Sequence, residues 1–427
     1  MCIQSSNAQN FFSLPPGFNS EVRCLFFDTS TNSLYAGGNF WNLAGNIIPM
    51  HGIARWNGMA WDSLGTGVGG NVYSIVKYNG ILYAGGSFNI KDSTGNFIQA
   101  NISYWNGSIW QLPGGLPASS AVWSLKVVGS DLYAGGNFDS IGGIAANRFA
   151  RFDGFSWHSY PQLGSDVSAI EEYNGEIYVA GDFNAGNGKK DIAKWNGTNW
   201  VSVGGGFSGP NSWVNCMTVY QGLLYVGGYF FTSQGDPGNN IASWNGTNWN
   251  QLSSGVFPWN VLGMHGFKNE LYIGGQINDA GGIPVTFIAK WDGNNWHSLG
   301  SNFDNLVECF TSHGNDLYIG GGFFSVNSDT MYFITRYSPP LGVQENILNT
   351  NGINITPNPG NGNFYFTSLF YPIEFIRLFD LTGKIIFSKE KFFNNTFECK
   401  LNSPDGMYVA EVFVNEKIYR SKLLVIR

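Results

Sequence analysis

Apolar residues in this chain come in short runs broken by Gly, Asn and Asp, without the long amphipathic stretches of helices. One run repeats. Leu34-Tyr35-Ala36-Gly37-Gly38-Asn39-Phe40 returns as LYAGGSF at Leu82, LYAGGNF at Leu132, IYVAGDF at Ile177, LYVGGYF at Leu224, LYIGGQI at Leu271 and LYIGGGF at Leu317. Its tyrosines, Tyr35, Tyr83, Tyr133, Tyr178, Tyr225, Tyr272 and Tyr318, are spaced 45 to 50 residues apart. A period of that length is one four-stranded unit of a repeat architecture.

Each repeat has the same internal order. A short apolar strand precedes the marker, with Val or Leu and then a small residue two places on, as in Val72-Tyr73-Ser74, Val122-Trp123-Ser124, Val167-Ser168-Ala169 and Val214-Asn215-Cys216. Tight turns such as Asn79-Gly80 and Asn174-Gly175 fit the hairpin to the marker strand. A third strand ends in Trp-Asn-Gly or a variant and a fourth begins at Trp. Clear copies are Trp56-Asn57-Gly58 with Trp61, Trp195-Asn196-Gly197 with Trp200, and Trp291-Asp292-Gly293 with Trp296. Four such strands cannot bury a face alone, so stacking of repeat on repeat is expected, with the tryptophans filling the wedges. The tandem glycines allow close approach near a crowded axis. Cys24, Cys216 and Cys309 occupy the small-residue position held elsewhere by Ser74, Ser124, Ala169 or Gly263.

The seventh repeat stops at Ile334-Thr335-Arg336-Tyr337, before Pro339-Pro340, without a second Trp. Phe11-Phe12-Ser13-Leu14-Pro15-Pro16-Gly17 imitates Ala60-Trp61-Asp62-Ser63-Leu64-Gly65. The N-terminal strand is therefore expected to complete the last unit and remove two open sheet edges. The order of marker, aromatic turn and Trp resembles kelch-type β-propeller repeats. The fuller form Gly135-Gly136-Asn137-Phe138-Asp139-Ser140-Ile141-Gly142-Gly143, followed by Phe149-Ala150-Arg151-Phe152, is similar to repeats of many secreted bacterial proteins. The expectation for residues 10–340 is an all-β, seven-bladed β-propeller, a fold that hosts unrelated activities.

The pattern changes at Ser338. A linker, 341–352, leads to short alternating strands over 353–427, suggesting a small C-terminal β-sandwich. Pro357-Asn358-Pro359, the Asp380-Leu381-Thr382-Gly383-Lys384 turn, Gly406-Met407-Tyr408 and a terminal strand containing Lys422 together resemble the C-terminal sorting domain of the type IX secretion system of Bacteroidota. The resemblance implies the secretion machinery as a partner, passage across the outer membrane, removal of the domain, and release or attachment at the cell surface. A generic accessory sandwich is the plainer alternative. Residues 1–9, MCIQSSNAQ, read as the remnant of a secretory leader or as a disordered end.

Composition narrows the partners. Of 427 residues only 12% are charged, the net charge is −7, and the 22 Lys and Arg form no cluster, which argues against nucleic acid. No apolar run reaches the roughly 18 residues of a membrane helix. Five scattered cysteines offer neither a Cys-x-x-Cys metal spacing nor a disulfide framework. A monomer is expected.

No catalytic motif or cofactor site stands out. His51, His158, His265, His297 and His313 lack zinc spacing, and His158 and His297 follow a repeat Trp. The ligand set of kelch-like copper oxidases cannot be placed, and a sialidase-type Asp-box, a Gly-x-Ser-x-Gly elbow and phosphate loops are missing. Asp182-Phe183-Asn184-Ala185-Gly186-Asn187-Gly188 lacks the distal acid of a calcium loop. Sequons such as Asn196-Gly197-Thr198 serve the turn.

Eleven of the 15 tryptophans belong to the repeat. The remaining four, Trp41, Trp123, Trp213 and Trp259, are the candidate ligand-binding residues. Trp41 opens a second-to-third-strand loop, Trp213 and Trp259 are expected in loops between repeats, and Trp123 just follows one. All emerge on the face carrying the variable segments Asn89 to Ala100 and Thr232 to Asn240. Such rings either bind sugars or proteins or cap the wedges. The resulting expectation is a secreted or cell-surface, non-catalytic binding or adhesion module for a polysaccharide or another extracellular macromolecule. An extracellular glycan-active hydrolase or lyase, and a purely structural adhesin, are the alternatives.

Overall fold

The computed structural model describes residues 10–45, 48–184, 186, 190–231, 239–339, 353–356, 362–368, 371–380, 383–414 and 417–425. The leader candidate 1–9, the linker 341–352 and Pro357, Asn358 and Pro359 lie outside the described residues. The chain forms two compact units, Met1–Ser338 and Pro339–Arg427. All described secondary structure is β. No helix among the described residues is long and apolar enough to cross a membrane.

Among the described residues, the first unit contains seven antiparallel sheets with a four-stranded path each. Sheet 1 runs Val22–Asp28, Ser33–Gly38, Ile53–Trp56 and Trp61–Ser63 in sequence order. Sheets 2 to 6 repeat this order, with first strands Gly69–Tyr78, Val122–Val128, Asp166–Tyr173, Ser208–Tyr220 and Val256–Phe267. Sheet 7 is composite. Its strands Val307–His313, Asp316–Gly321 and Ile334–Tyr337 are completed by Phe11–Ser13 from the other end of the unit. Phe11 stands opposite Tyr337, Phe12 opposite Arg336 and Ser13 opposite Thr335.

Burial lies between the sheets. Seven apolar clusters among the described residues each join two neighbouring sheets, and one of them joins sheet 7 (Cys309, Tyr318, Ile334) to sheet 1 (Val22, Leu34, Ala54). Aromatic residues pair across the third and fourth strands of every sheet. Trp56 faces Trp61, Trp105 faces Trp110, Phe152 faces Trp157, Trp195 faces Trp200, Trp244 faces Trp249, Trp291 faces Trp296, and Tyr337 faces Phe11. Such cross-strand ring pairs stabilise a sheet beyond their area alone.

Six fourth-strand indoles also donate a hydrogen bond to a carbonyl one repeat back. Trp61 reaches Leu14 O (3.2 Å), Trp110 Leu64 O (3.2 Å), Trp157 Pro113 O (3.1 Å), Trp200 Pro161 O (3.0 Å), Trp249 Val203 O (3.3 Å) and Trp296 Leu252 O (3.0 Å). Trp thus fills the wedge and satisfies its one polar atom by tying sheet to sheet. The acceptor for Trp61 lies just beyond the closing strand, so residues 10 to 14 hold sheet 7 on one side and sheet 1 on the other. Ser338 N donates to Asn10 O (2.9 Å), and Thr335 Oγ1 to Phe12 O (3.0 Å).

The third-to-fourth-strand turns are built by side chains. Asn57, Asn106, Asp153, Asn196, Asn245 and Asp292 each accept two backbone N–H bonds, from the residues two and three places on. Only the following glycine takes positive φ there, whereas at Asn79-Gly80 and Asn174-Gly175 both residues do. The two Asn-Gly families are therefore different turns, an Asx turn and a type I′ hairpin.

One buried acid breaks a pattern. Asn101 and Asn240, in left-handed conformation before a third strand, accept from Phe88 N and Phe230 N and donate to Ala118 O and Val256 O. Asp191 holds the corresponding place, with φ of 62°, 1% exposed, and accepts a hydrogen bond from Ser212 Oγ. Burial pushes its carboxyl up to about 7, against the lowering effects of Ser212 and Lys190.

In the second unit a three-stranded sheet (Ile353–Thr356, Asn363–Ser368, Thr396–Lys400) and a four-stranded sheet (Ile385–Asn394, Ile373–Phe379, Gly406–Val414, Lys417–Val425, in spatial order) share one core. Phe364, Phe366 and Cys399 from the first meet Ile376, Leu378, Ala410, Val412 and Leu423 from the second.

Two outcomes follow from this packing. Deleting residues 10–18 opens sheet 7 and removes the acceptor of Trp61, so a thermal melt should show a sharply lower midpoint; an unchanged midpoint refutes this closure. Replacing Asp191 by Asn removes the ionisation that the fold disfavours. The folded carboxyl titrates above its unfolded value of 3.8, so wild-type stability falls as pH rises from about 4 to about 7 and stays low above. Asp191→Asn should therefore raise the unfolding free energy by about 1–2 kcal/mol at pH 8 and leave it nearly unchanged at pH 4, read by urea denaturation.

Candidate functional site

The first strand of every sheet carries a bulge at the same place. The pairing register slips between Val22 and Cys24, Val72 and Ser74, Val122 and Ser124, Val167 and Ala169, Val214 and Cys216, Val261 and Gly263, and Val307 and Cys309. The cause lies in the marker strand. A Cβ on Gly38 would stand 2.1 Å from Glu21 O, and on Gly86 2.0 Å from Asn71 O, so the two backbones touch where the second glycine sits. A Cβ on Gly37 would meet Val72 Cγ1 of the next sheet at 2.6 Å. In sheet 4 the first place of the pair holds Ala180, next to Gly181.

A bulge leaves one residue unpaired and re-aims its side chain. The seven residues so placed are Arg23, Tyr73, Trp123, Ser168, Asn215, Leu262 and Glu308, and together they line one cavity of about 370 Å³. Every sheet contributes one side chain to it. The flanking Val is the same in all seven repeats and the third residue is always small, yet the middle position holds seven different residue types.

Charge in this cavity is concentrated at one side. Arg23 is ion-paired to Glu21 and lies 3.7 Å from Glu308, with its guanidinium 5.9 Å from the Tyr73 ring centre. Its Nε is buried without a partner. Burial pushes the Glu308 carboxyl up to about 7, outweighing the attraction of Arg23, so near neutrality it retains its proton in a substantial fraction of molecules. Asn215 commits its Nδ2 to Val261 O (3.0 Å).

A second feature grows from the same strands. Trp213 faces Tyr229 across sheet 5 with ring centres 4.9 Å apart, and Tyr229 stacks on Trp259 of sheet 6 at 6.2 Å and 28°. Trp259 is 51% exposed. Beside it, Pro258, Gln276, Ile277, Asn278, Val285, Thr286 and Phe287 complete a cleft of about 270 Å³, which sets two amides and a hydroxyl against an aromatic face.

The four sequence candidates therefore have different surroundings. Trp213 and Trp259 lie in extended first strands, not in the loops expected for them, because their sheets continue past the bulge through Tyr229 and Ile277. Tyr229 joins them into one ladder. Trp123 is a bulge residue in the cavity. Trp41 is 50% exposed and stands edge-on to His51 at 5.3 Å, and its backbone N–H donates to Asn19 Oδ1. Tyr229 and the other six cavity residues escaped the sequence reading.

Histidines contribute no clustered site. His158 and His297 pair with the turn carboxylates Asp153 and Asp292 at 2.7 Å each, all partly exposed. His265 is held below its ordinary range, at about 4, by burial, and sits 2.9 Å from Ser312 Oγ. Among the described residues no group of three or more His, Cys, Asp or Glu is placed to hold a metal ion. Of the sorting-motif residues, Gly383 has φ of 84° in a turn where Lys384 N donates to Asp380 Oδ1 (3.0 Å). Tyr408, two residues after Gly406 on one strand, is buried and donates to Pro404 O (2.6 Å). Lys422 pairs with Val409 through its backbone, and its side chain lies outside the described residues.

No protein-family model matches the chain, and no curated protein does. Among solved structures it is similar to a computationally designed protein, Ika8, at 13% identity, with 77% of this chain and 98% of that one covered and a TM-score of 0.44. It is also similar to a GH74 enzyme of Niastella koreensis at 12% identity, covering 98% and 75% of the two chains with a TM-score of 0.37.

Proposed function

We propose that the chain is a secreted or cell-surface binding module without catalytic activity, a kelch-like seven-bladed β-propeller that engages an extracellular polysaccharide. The observation that carries the reading is the ladder Trp213–Tyr229–Trp259 beside an amide-lined cleft. A pyranose ring offers a face of C–H groups and an edge of hydroxyls. Flat aromatic rings accept the first, and Gln276, Asn278 and Thr286 have donors and acceptors for the second. A hydrolase of the two-carboxylate kind needs a pair of acids flanking the bond. Glu308 is the sole acid among the cavity's lining residues.

The propeller reading is supported by seven four-stranded sheets, by apolar clusters linking each to the next and the seventh to the first, and by a closing strand from residues 10–14. For the second unit we propose a type IX sorting β-sandwich over residues 353–427, delivering residues 10–340 to the exterior. Two sheets around one core and the Gly383-Lys384 turn support that assignment, together with the motif order in the sequence.

Binding of the full chain to a broad glycan and polysaccharide panel tests the first proposal. At least one polysaccharide should bind, and Trp259→Ala and Trp213→Ala should each weaken it about tenfold, the equivalent of about 1.4 kcal/mol, with an unaltered melting temperature. Binding that is indifferent to both substitutions removes the ladder as the site. For the second, the full chain and a chain ending at Ser338, each given the same cleavable secretory leader, are expressed in a bacterium possessing type IX machinery; the shorter chain should be held inside the outer membrane while the full chain reaches the medium or surface. Equal export of both defeats the sorting assignment.

A further inference from the structure

We infer that the seven-residue cavity is a second sugar subsite, taking the end of the glycan chain whose preceding units lie on the Trp213–Tyr229–Trp259 ladder. This rests on the polysaccharide reading above and adds a mode of recognition to it.

Continuity of the two features is the first reason. Asn215 follows Trp213 by two residues on one strand, and Leu262 follows Trp259 by three on the neighbouring sheet's first strand. At about 3.3 Å per residue, the ladder stands roughly 7–10 Å from the cavity wall. One glycan strand spans that distance.

The second reason is shape. One side chain from each of seven sheets lines the cavity, so it is a depression ringed by side chains and open to solvent. A linear polymer reaches the middle of such a ring most directly by its end, because an internal unit would have to carry both arms back over the rim. Its volume of about 370 Å³ lies within the roughly 300–1,000 Å³ of small-molecule sites.

Chemistry is the third. Trp123 and Tyr73 contribute aromatic rings to the lining, while Ser168, Asn215, Arg23 and Glu308 contribute polar groups. Asn215 has one N–H engaged with Val261 O, so its carbonyl oxygen and its second N–H are left for a ligand. A protonated Glu308 both donates and accepts, as a sugar hydroxyl requires of its partner. No strongly charged ligand fits as well, because Arg23 already faces Glu21 and Glu308.

The test uses the full chain and calorimetry with cello-, laminari-, xylo- and manno-oligosaccharides of two to eight units, each free-ended or capped at one end or the other by a bulky fluorophore. Capping one particular end should weaken binding at least tenfold and capping the other should not. Ser168→Phe, which fills the cavity without removing a packed ring, and Trp123→Ala should abolish that end preference while leaving weaker, ladder-dependent binding. If binding is lost in Trp259→Ala but is equal for free and capped ligands and unaffected by Ser168→Phe, the ladder stands and the end subsite is overturned. If no oligosaccharide or polysaccharide binds, both proposals fall.

Discussion

Everything in the first unit follows from how closely two strands approach at the second glycine of each marker. At Gly38, Gly86, Gly136, Gly181, Gly228, Gly275 and Gly321 a methyl group would stand 2.0 to 2.2 Å from a carbonyl oxygen of the sheet's own first strand or of the residue just before it. No rotamer relieves such a contact, because the obstacle is backbone. The approach is tight enough that the first strand cannot keep a regular ladder past it, and the extra residue is expelled as a bulge. The valine before the bulge and the small residue after it turn into the gap between sheets. There Val72 Cγ1 lies against Gly37, and Cys24 Sγ reaches toward Val72 O at 3.7 Å. Close packing of neighbouring sheets and exposure of the expelled side chain are two results of one steric condition.

That coupling explains what the sequence made legible. Residues that hold the frame are under the same constraint seven times, so they repeat, and the seven sheets, the closing strand at Phe11 and the wedge tryptophans can be read directly from the period. Residues freed by the frame are under no common constraint, so they vary. Arg23, Tyr73, Trp123, Ser168, Asn215, Leu262 and Glu308 share nothing as side chains, and a search for recurring motifs passes over them. Their signal was variability itself, one changing position between an unchanging Val and a small residue. Trp123 was noticed only because it is a tryptophan outside the repeat.

Tyr229 had a similar signal. The residue after the tandem glycines is Asn39, Ser87, Asn137, Asp182, Gln276 or Gly322 in the other repeats, and Tyr229 alone is aromatic. The four-strand order puts Trp213 and Trp259 between repeats, where loops are expected, and the segments before them, Gly204-Gly205-Gly206-Phe207-Ser208-Gly209-Pro210 and Ser253-Ser254-Gly255-Val256-Phe257-Pro258, are rich in turn residues. Local propensity was outweighed by pairing. Tyr229-Phe230-Phe231 and Ile277-Asn278-Asp279-Ala280 prolong their second strands and draw the preceding segments into the sheet.

The two acids whose carboxyls are held near neutrality separate structural from functional burial. Asp191 occupies a place that Asn101 and Asn240 fill better, inside a hydrogen-bond pattern that recurs, and its raised carboxyl reports a slot designed for an amide. Glu308 stands at the variable position, where no other repeat carries an acid, and its carboxyl opens on a cavity instead of a carbonyl. Shifts in the same direction thus have different meanings. Substitution toward the amide of Asn101 and Asn240 relieves a strain at Asp191, whereas at Glu308 no two repeats carry the same residue. Paired with Arg23 at the variable position, this half-buried acid stands where the glycan end proposed for the cavity would meet it.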